Sequence, residues 1–328
     1  MARIEQRGKR WRVRVRAGGV DKSESFRTKS EASAWAAQIE ADVTAGKLGR
    51  AVDKPVRALI QRYIEDVLPS KRGERPERLR LERLMRDDDL ARVRLPDFGP
   101  EHVAAWRDRR LREVSAASVL REWATLSAAC NLAVREWRWL QVNPFSQVKK
   151  PAEPKARTRT YTDDEIDRVL LACGYQNLET EQGRVGAVVL FALETAMRAS
   201  EIVTLTWGQV DLSRRIAHLP MTKNGSARDV PLSRRALELL AAQRERKAGD
   251  PVFGIRSAAV LDALWRKARD RAMLEDAHFH DLRATALTRM ARKVGVMDLA
   301  KISGHRDIRI LQNVYYRVDP SDLAPKLD

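Results

Sequence analysis

Residues 278–317 read HFHDLRATALTRMARKVGVMDLAKISGHRDIRILQNVYYR, and the rest of the chain is organised around them. His280 and Arg283 stand three apart within a helical pattern that includes Leu282, Ala286, Leu287 and Met290, so both side chains are expected to leave one face of a helix. Gly304 follows the apolar run 296–302, where a helix C-terminus is expected, and this puts His305 just past the cap. A third short helical run, 308–311, leads to Tyr315 and Tyr316. Two histidines, an arginine and a tyrosine near each other suit covalent chemistry on a phosphodiester. The plainer alternative is a set of unrelated surface and core residues.

The charge balance names a class of partner. The 328 residues carry 62 Lys plus Arg against 45 Asp plus Glu, a formal net charge of +17. Such a chain is drawn to polyanions through phosphate contacts that release counterions. Ribosomal and membrane-surface proteins can be equally basic, so charge alone assigns no activity. The length exceeds one ordinary core and predicts two or three domains. An apolar content of 44% with 6% aromatics fits a globular, helix-rich protein and excludes a disordered tail. Cys130 and Cys173 lie in apolar helical contexts, as small core residues of a reducing cytosol do. The opening MARIEQRGKRW has no apolar signal region, and no uncharged run approaches the ~20 residues of a membrane span. A cytoplasmic, nucleoid-associated protein without membrane partners is expected.

Four sections follow from the pattern. Residues 1–50 form a small module: in 9–18, Trp11, Val13 and Val15 alternate with Arg12, Arg14 and Arg16, Gly18-Gly19 makes a turn, 20–27 return as a second strand, and a helix follows. The arginine face is a candidate reader of a DNA groove, or else a solvated strand face. Residues 51–150 carry four amphipathic stripes, the longest from 115 to about 137, and read as a helical bundle with nothing catalytic in it. Residues 151–160 are a basic linker; Lys149, Lys150, Lys155, Arg157 and Arg159 are candidate contacts to DNA backbone, or parts of a tether. Residues 161–328 hold the candidate site.

This last section opens with a capping box, Thr162 with Glu165, and continues to the apolar helix 185–196. Arg198 follows directly, held by apolar neighbours on both sides, which is costly unless it meets an anion; a salt bridge to Glu201 is the structural alternative. Residues 216–219 and 230–232 read as short strands with Lys223-Asn224-Gly225 between them as a hairpin. Lys223 is then either a solvated tip or an ammonium carried into a neighbouring groove.

Taken together, TAMRASE, TKNG in a hairpin, HDLRAT, ISGH and a tyrosine soon after resemble the tyrosine site-specific recombinases, in particular phage-type integrases. The resemblance covers the catalytic half and extends weakly to the helical region. It implies a mainly α fold with small β elements (α+β): an arm-binding module, a helical core-binding domain and a mixed α/β catalytic domain. It further implies Arg198 and Arg283 on the phosphate oxygens, His280 as base, His305 as hydrogen-bond donor, Lys223 as acid for the leaving 5′ oxygen, and a 3′-phosphotyrosyl intermediate formed without metal or other cofactor. A His278–His280 metal pair lacks the ligands to complete it. Tyr315 is favoured over Tyr316 as nucleophile by counting back from 322–324. Two departures stand out: Ala196 occupies a position that is usually glycine, and the spacing from His305 to the tyrosine is one residue longer than is common, with two tyrosines competing; taking Tyr315 puts Arg317 in a slot that is often histidine. The implied partners are double-stranded DNA at core and arm sites, three further copies of the chain in a tetramer, and a host DNA-bending protein or excisionase as accessory. A non-catalytic DNA-binding or architectural protein, a chromosome-dimer resolving recombinase and a topoisomerase are the competing readings.

Overall fold

A computed structural model describes residues 2–17, 20–44, 52–71, 73–154, 157–220, 227–243 and 247–316. The chain divides into two compact units, residues 1–155 and 156–328. Among the described residues both are mainly helical with one small antiparallel sheet each, the α+β class that the sequence implied.

In the first unit, β1 (Ala2–Arg7), β2 (Arg10–Ala17) and β3 (Val20–Phe26) pair in that order. The sequence predicted two strands; the additional β1 pairs Ile4 with Val13 and Glu5 with Arg12. Helix α1 (Lys29–Thr44) covers one face, where Val13 and Val15 are buried against Ala32, Ala36 and Ile39. Thr28 and Glu31 cap it reciprocally, each side chain accepting from the other's backbone N–H at 3.2 Å. The alternation then leaves Arg12, Arg14 and Arg16 on the uncovered face. The Gly18-Gly19 turn lies outside the described residues.

The bundle contains α2 (Val56–Asp66), α3 (Glu74–Met85), the single turn α4 (Asp88–Ala91), α5 (Pro100–Glu113) and α6 (Ala116–Arg135). Their apolar stripes converge on Trp106, Trp123 and Phe145, with the Trp123 and Phe145 rings edge-on at 4.9 Å. Arg110, buried on α5, is held by two hydrogen bonds to buried Glu122 at 2.8 and 3.0 Å, the pairing that a desolvated charge requires.

The second unit begins with α7 (Asp163–Cys173), whose Thr162–Glu165 capping box forms as expected. The apolar helix α8 (Glu181–Thr195) runs through the core, and α12 (Phe279–Ala291) packs along it. Between them in sequence come α9 (Ala199–Val203), the sheet β4 (Val210–Asp211), β5 (Ile216–Leu219) and β6 (Arg228–Pro231), and helices α10 (Arg234–Ala241) and α11 (Ala258–Arg271). Strand β6 starts two residues before the predicted 230, which brings Arg228 into the ladder opposite Leu219. The last helices among the described residues are α13 (Val296–Ser303) and α14 (Ile308–Val314), which pack on Ala196, Ala286 and Leu287. Both cysteines are buried and free.

Candidate active site

Helix α8 ends at Ala196, which adopts the left-handed conformation with φ 51°. The reversal places Arg198 as N-cap of α9, where Glu201 accepts from its backbone N–H at 2.9 Å and from its guanidinium at 2.8 Å. The salt bridge weighed for Arg198 therefore exists, but Glu201 is shared: Arg228 donates to both carboxylate oxygens, at 2.9 and 2.7 Å. Burial would raise the Glu201 pKa, yet the hydrogen bonds from Arg228 and from the Arg198 backbone outweigh it and hold the carboxyl at about 2. The third Arg228 donor, Nε, reaches the carbonyl of Ile302 at 3.2 Å. Gly304 lets it pass, because a Cβ there would stand 3.1 Å from Arg228 Cδ.

Arg283 is 3% exposed in the middle of α12. It donates through Nη1 to Ala196 O and through Nη2 to Ser303 O at 2.6 Å, so both carbonyls at the ends of α8 and α13 are satisfied by one guanidinium. Burial, reinforced by Arg198, lowers its pKa to about 10, which still leaves it charged at neutral pH. His280, one turn earlier, is exposed and lines a cavity together with Arg283, Ala199, His278 and Phe279.

His305 lies just past the α13 cap, as the sequence predicted. Burial and then the nearby Arg283, Arg198, Arg228 and His280 depress its pKa to about 4, so the imidazole is neutral at pH 7. Ser303 Oγ donates to Leu299 O at 2.6 Å, leaving it to accept from His305 Nδ1 at 2.7 Å. In this neutral tautomer Nε2 bears the lone pair, and it becomes a donor only on protonation. The His305 and Tyr315 ring centroids are 6.4 Å apart.

The two tyrosines are not equivalent. Tyr316 Oη donates to Val294 O at 3.0 Å and is occupied as a packing residue. Tyr315 Oη has no hydrogen bond among the described residues. Burial raises the Tyr315 pKa, opposed by nearby Arg283.

Arg198, His280, Arg283, His305 and Tyr315 are thus brought together. Lys223 lies outside the described residues, as do Lys155, Arg317 and the 322–324 segment; the connection bearing Lys223 starts and ends at the paired Leu219 and Arg228. Of the basic candidates elsewhere, Arg14 and Arg16 are both bonded to Asp21, at 2.6–2.7 and 3.0 Å. Arg12 sits opposite Glu5 and Ser25. Lys149 and Lys150 are exposed, Arg159 pairs with Glu165 at 2.7 Å, and Arg157 is bonded to Asp276 and Asp281. Sequence reasoning missed Arg228 and Ser303. Arg228 had left a signal: it alternates with Val230 and Leu232, both buried, and a cation on the apolar side of a strand needs a partner.

The phage integrase family model matches residues 159–322. A Haemophilus influenzae protein named as an integrase/recombinase is 44% identical over 98% of this chain and 89% of its own length. The shufflon-specific DNA recombinase of Escherichia coli is 35% identical, covering 86% of this chain and 71% of the relative. Among solved structures, a lambda integrase dimer bound to a COC′ core site aligns with a TM-score of 0.68 at 17% identity, over 97% of this chain and 95% of that one. This chain belongs to the phage integrase family, the tyrosine site-specific recombinases that its motifs resemble.

Proposed function

We propose that this family member cuts and rejoins DNA strands at specific sites, with Tyr315 as nucleophile. The phenol oxygen bonds to phosphorus, the P–O5′ bond breaks, the phenolic proton passes to His280, and Lys223 protonates the leaving 5′ oxygen. The product is a 3′-phosphotyrosyl link and a free 5′ hydroxyl; the reverse reaction with another 5′ hydroxyl rejoins the strands. Arg198 and Arg283 hold the non-bridging oxygens with fixed guanidinium forks, which cost no reorganisation as charge shifts in the transition state. An arriving phosphodiester anion raises the His305 pKa, and the protonated Nε2 then donates to it. The observation that carries this reading is the contrast in the tyrosine pair: among the described residues the Tyr315 hydroxyl, near Arg283 and His305, has no hydrogen-bond partner, whereas Tyr316 Oη is bonded to Val294 O.

The N-terminal arginine face and the bundle are the proposed contacts to arm and core DNA. A homotetramer on DNA is the proposed working assembly, supported by the lambda integrase tetramer on a Holliday junction, which aligns with a TM-score of 0.68. A suicide DNA substrate tests the chemistry. Wild type and Tyr316→Phe should form a covalent adduct and Tyr315→Phe none, with DNA binding retained in all three. A wild type that binds without an adduct would mean a DNA-binding or architectural protein, and an adduct retained in Tyr315→Phe would move the nucleophile.

A further inference from the structure

Arg157 belongs to a basic linker, and its composition suggests a phosphate contact. Its geometry points elsewhere. Nε and Nη2 donate to the two oxygens of Asp281 at 2.8 and 2.9 Å, Nη1 to the two oxygens of Asp276 at 2.8 and 3.0 Å, and Nη2 also to the carbonyl of Asp276. All three nitrogens of the guanidinium donate within the protein, Nη1 sharing its bond between the two oxygens of Asp276. Asp281 is 3% exposed and caps the first turn of α12 by accepting from His278 N at 2.9 Å. It lies next to His280 in sequence and two residues before Arg283.

Tyr161 continues the attachment. Its hydroxyl donates to His278 O at 2.9 Å, and its backbone N–H donates to Thr285 Oγ1 at 2.8 Å. Its ring meets Trp265 edge-on at 6.0 Å, and Trp265 in turn meets Phe279 at 5.6 Å. Residues 157–161 are therefore stitched along the first two turns of α12, on both sides of the residues that face the reacting phosphate.

We propose that residues 157–161 form a strap, with Arg157 and Tyr161 as positioning residues that set how α12 presents His280 and Arg283. The proposal rests on the strand-cutting function given above. Residues 157–161 stand near the start of the second unit in sequence. A displacement of about 1 Å at a catalytic group is enough to cost about a hundredfold in rate, so fixing the first turn of this helix matters to catalysis.

The test uses the full chain in single-turnover cleavage of a suicide substrate at saturating DNA, with affinity, its salt dependence and thermal stability measured alongside. Arg157→Ala and Tyr161→Phe should slow adduct formation about 10- to 100-fold while affinity and salt slope stay at wild-type values, and Arg157→Lys should restore only part of the rate. Asp276→Asn, a change at an exposed carboxylate, keeps the test open if Arg157→Ala does not fold, and should slow cleavage in the same direction. A lower affinity with a salt slope reduced by about one, and an unchanged saturated rate, would make Arg157 a phosphate contact and overturn the strap. A lower melting temperature with an unchanged saturated rate would overturn it as well, leaving a structural tie. A wild type that forms no adduct would remove the function and the strap together, an outcome distinct from equal rates in wild type and variants.

Discussion

Arginines crowd both ends of this chain, and the two groups are held in opposite ways. On the N-terminal sheet the Arg14 side chain is 48% exposed and its partner Asp21 45%. In the second unit the Arg228 side chain is 9% exposed and Glu201 7%, and Arg283 is bonded to two backbone carbonyls. A water-exposed guanidinium is screened and adaptable, suited to drawing in and following a polyanion. A desolvated one is fixed and acts at low effective dielectric, which suits a group that must meet developing charge. Sequence position and residue type do not separate the two tasks; burial and the identity of the acceptors do.

The largest effect that would test this contrast is at Arg283. Arg283→Met should lower the cleavage rate about a hundredfold or more. It should also cost about 1–3 kcal/mol of folding stability for each carbonyl, Ala196 O and Ser303 O, that is left without its donor. Chemical denaturation and single-turnover cleavage measure both; a drop in DNA affinity alone would erase the distinction between the two ends.

Acid unfolding comes next, because the two regions hold carboxyls with similar pKa values in different surroundings. Glu201 is held at about 2 against an ordinary value of 4.5. A depressed carboxyl stabilises above its unfolded pKa, so this contribution is complete above pH ~4.5 and is lost as pH falls toward 2, amounting to about 3 kcal/mol. Glu201→Gln should lack that acid-dependent loss. Asp21 is also held at about 2, by Arg14, but on an open face where water screens the pair. Asp21→Asn should therefore alter the acid profile far less; an equal change would show that burial is not what distinguishes the sites.

At the exposed end, Arg14→Ala should leave stability within about 0.5 kcal/mol of wild type. Cleavage at a core site should be unaffected, while affinity for arm DNA falls and its salt slope drops by about 0.9 for each phosphate that is no longer neutralised. Footprints on arm DNA that do not change would take the DNA-binding role away from this face.

Much of this organisation was legible because it is written locally. The Thr162–Glu165 capping box, the apolar run of α8, the three-residue spacing of His280 and Arg283 and the Gly304 cap each need only a few neighbouring residues. Strand β1 was missed because ARIEQR has Ile4 as its one large apolar residue, so the period-two signal is faint. Ser303 was missed although its partner His305 is two residues away, because a lone serine carries no pattern; two other omissions are partnerships across long sequence separations. Arg228 finds Glu201 27 residues away, and Arg157 finds Asp281 at a separation of 124. A basic cluster has the same composition whether its charges face phosphates or distant carboxylates, so the linker could not reveal which of its arginines was already occupied. The departure at Ala196 could be noticed but not weighed, since its effect depends on a backbone angle and on the packing around one methyl group.

That position gives the smallest expected effect and the finest test of how Arg283 is held. Its two carbonyl acceptors come from paired devices: Ala196 is itself left-handed at φ 51°, and Ser303 precedes Gly304, left-handed at φ 70°. Ala196→Gly removes a Cβ that costs about 1–2 kcal/mol in this conformation. It also gives up a buried methyl worth about 0.8 kcal/mol and adds about 0.5–1 kcal/mol of unfolded-chain entropy. The terms nearly cancel, so stability should stay within about 1 kcal/mol of wild type and the carbonyl should remain under Arg283, with cleavage unchanged. Gly304→Ala has no such compensation: it adds the left-handed cost and sets a methyl 3.1 Å from Arg228 Cδ. It should lower both stability and cleavage, because the neighbour it displaces shares Glu201 with Arg198. If the two substitutions proved equally mild, the carbonyl pair would not be fixing Arg283, and the rigidity ascribed to the buried arginines would have to come from Glu201 alone.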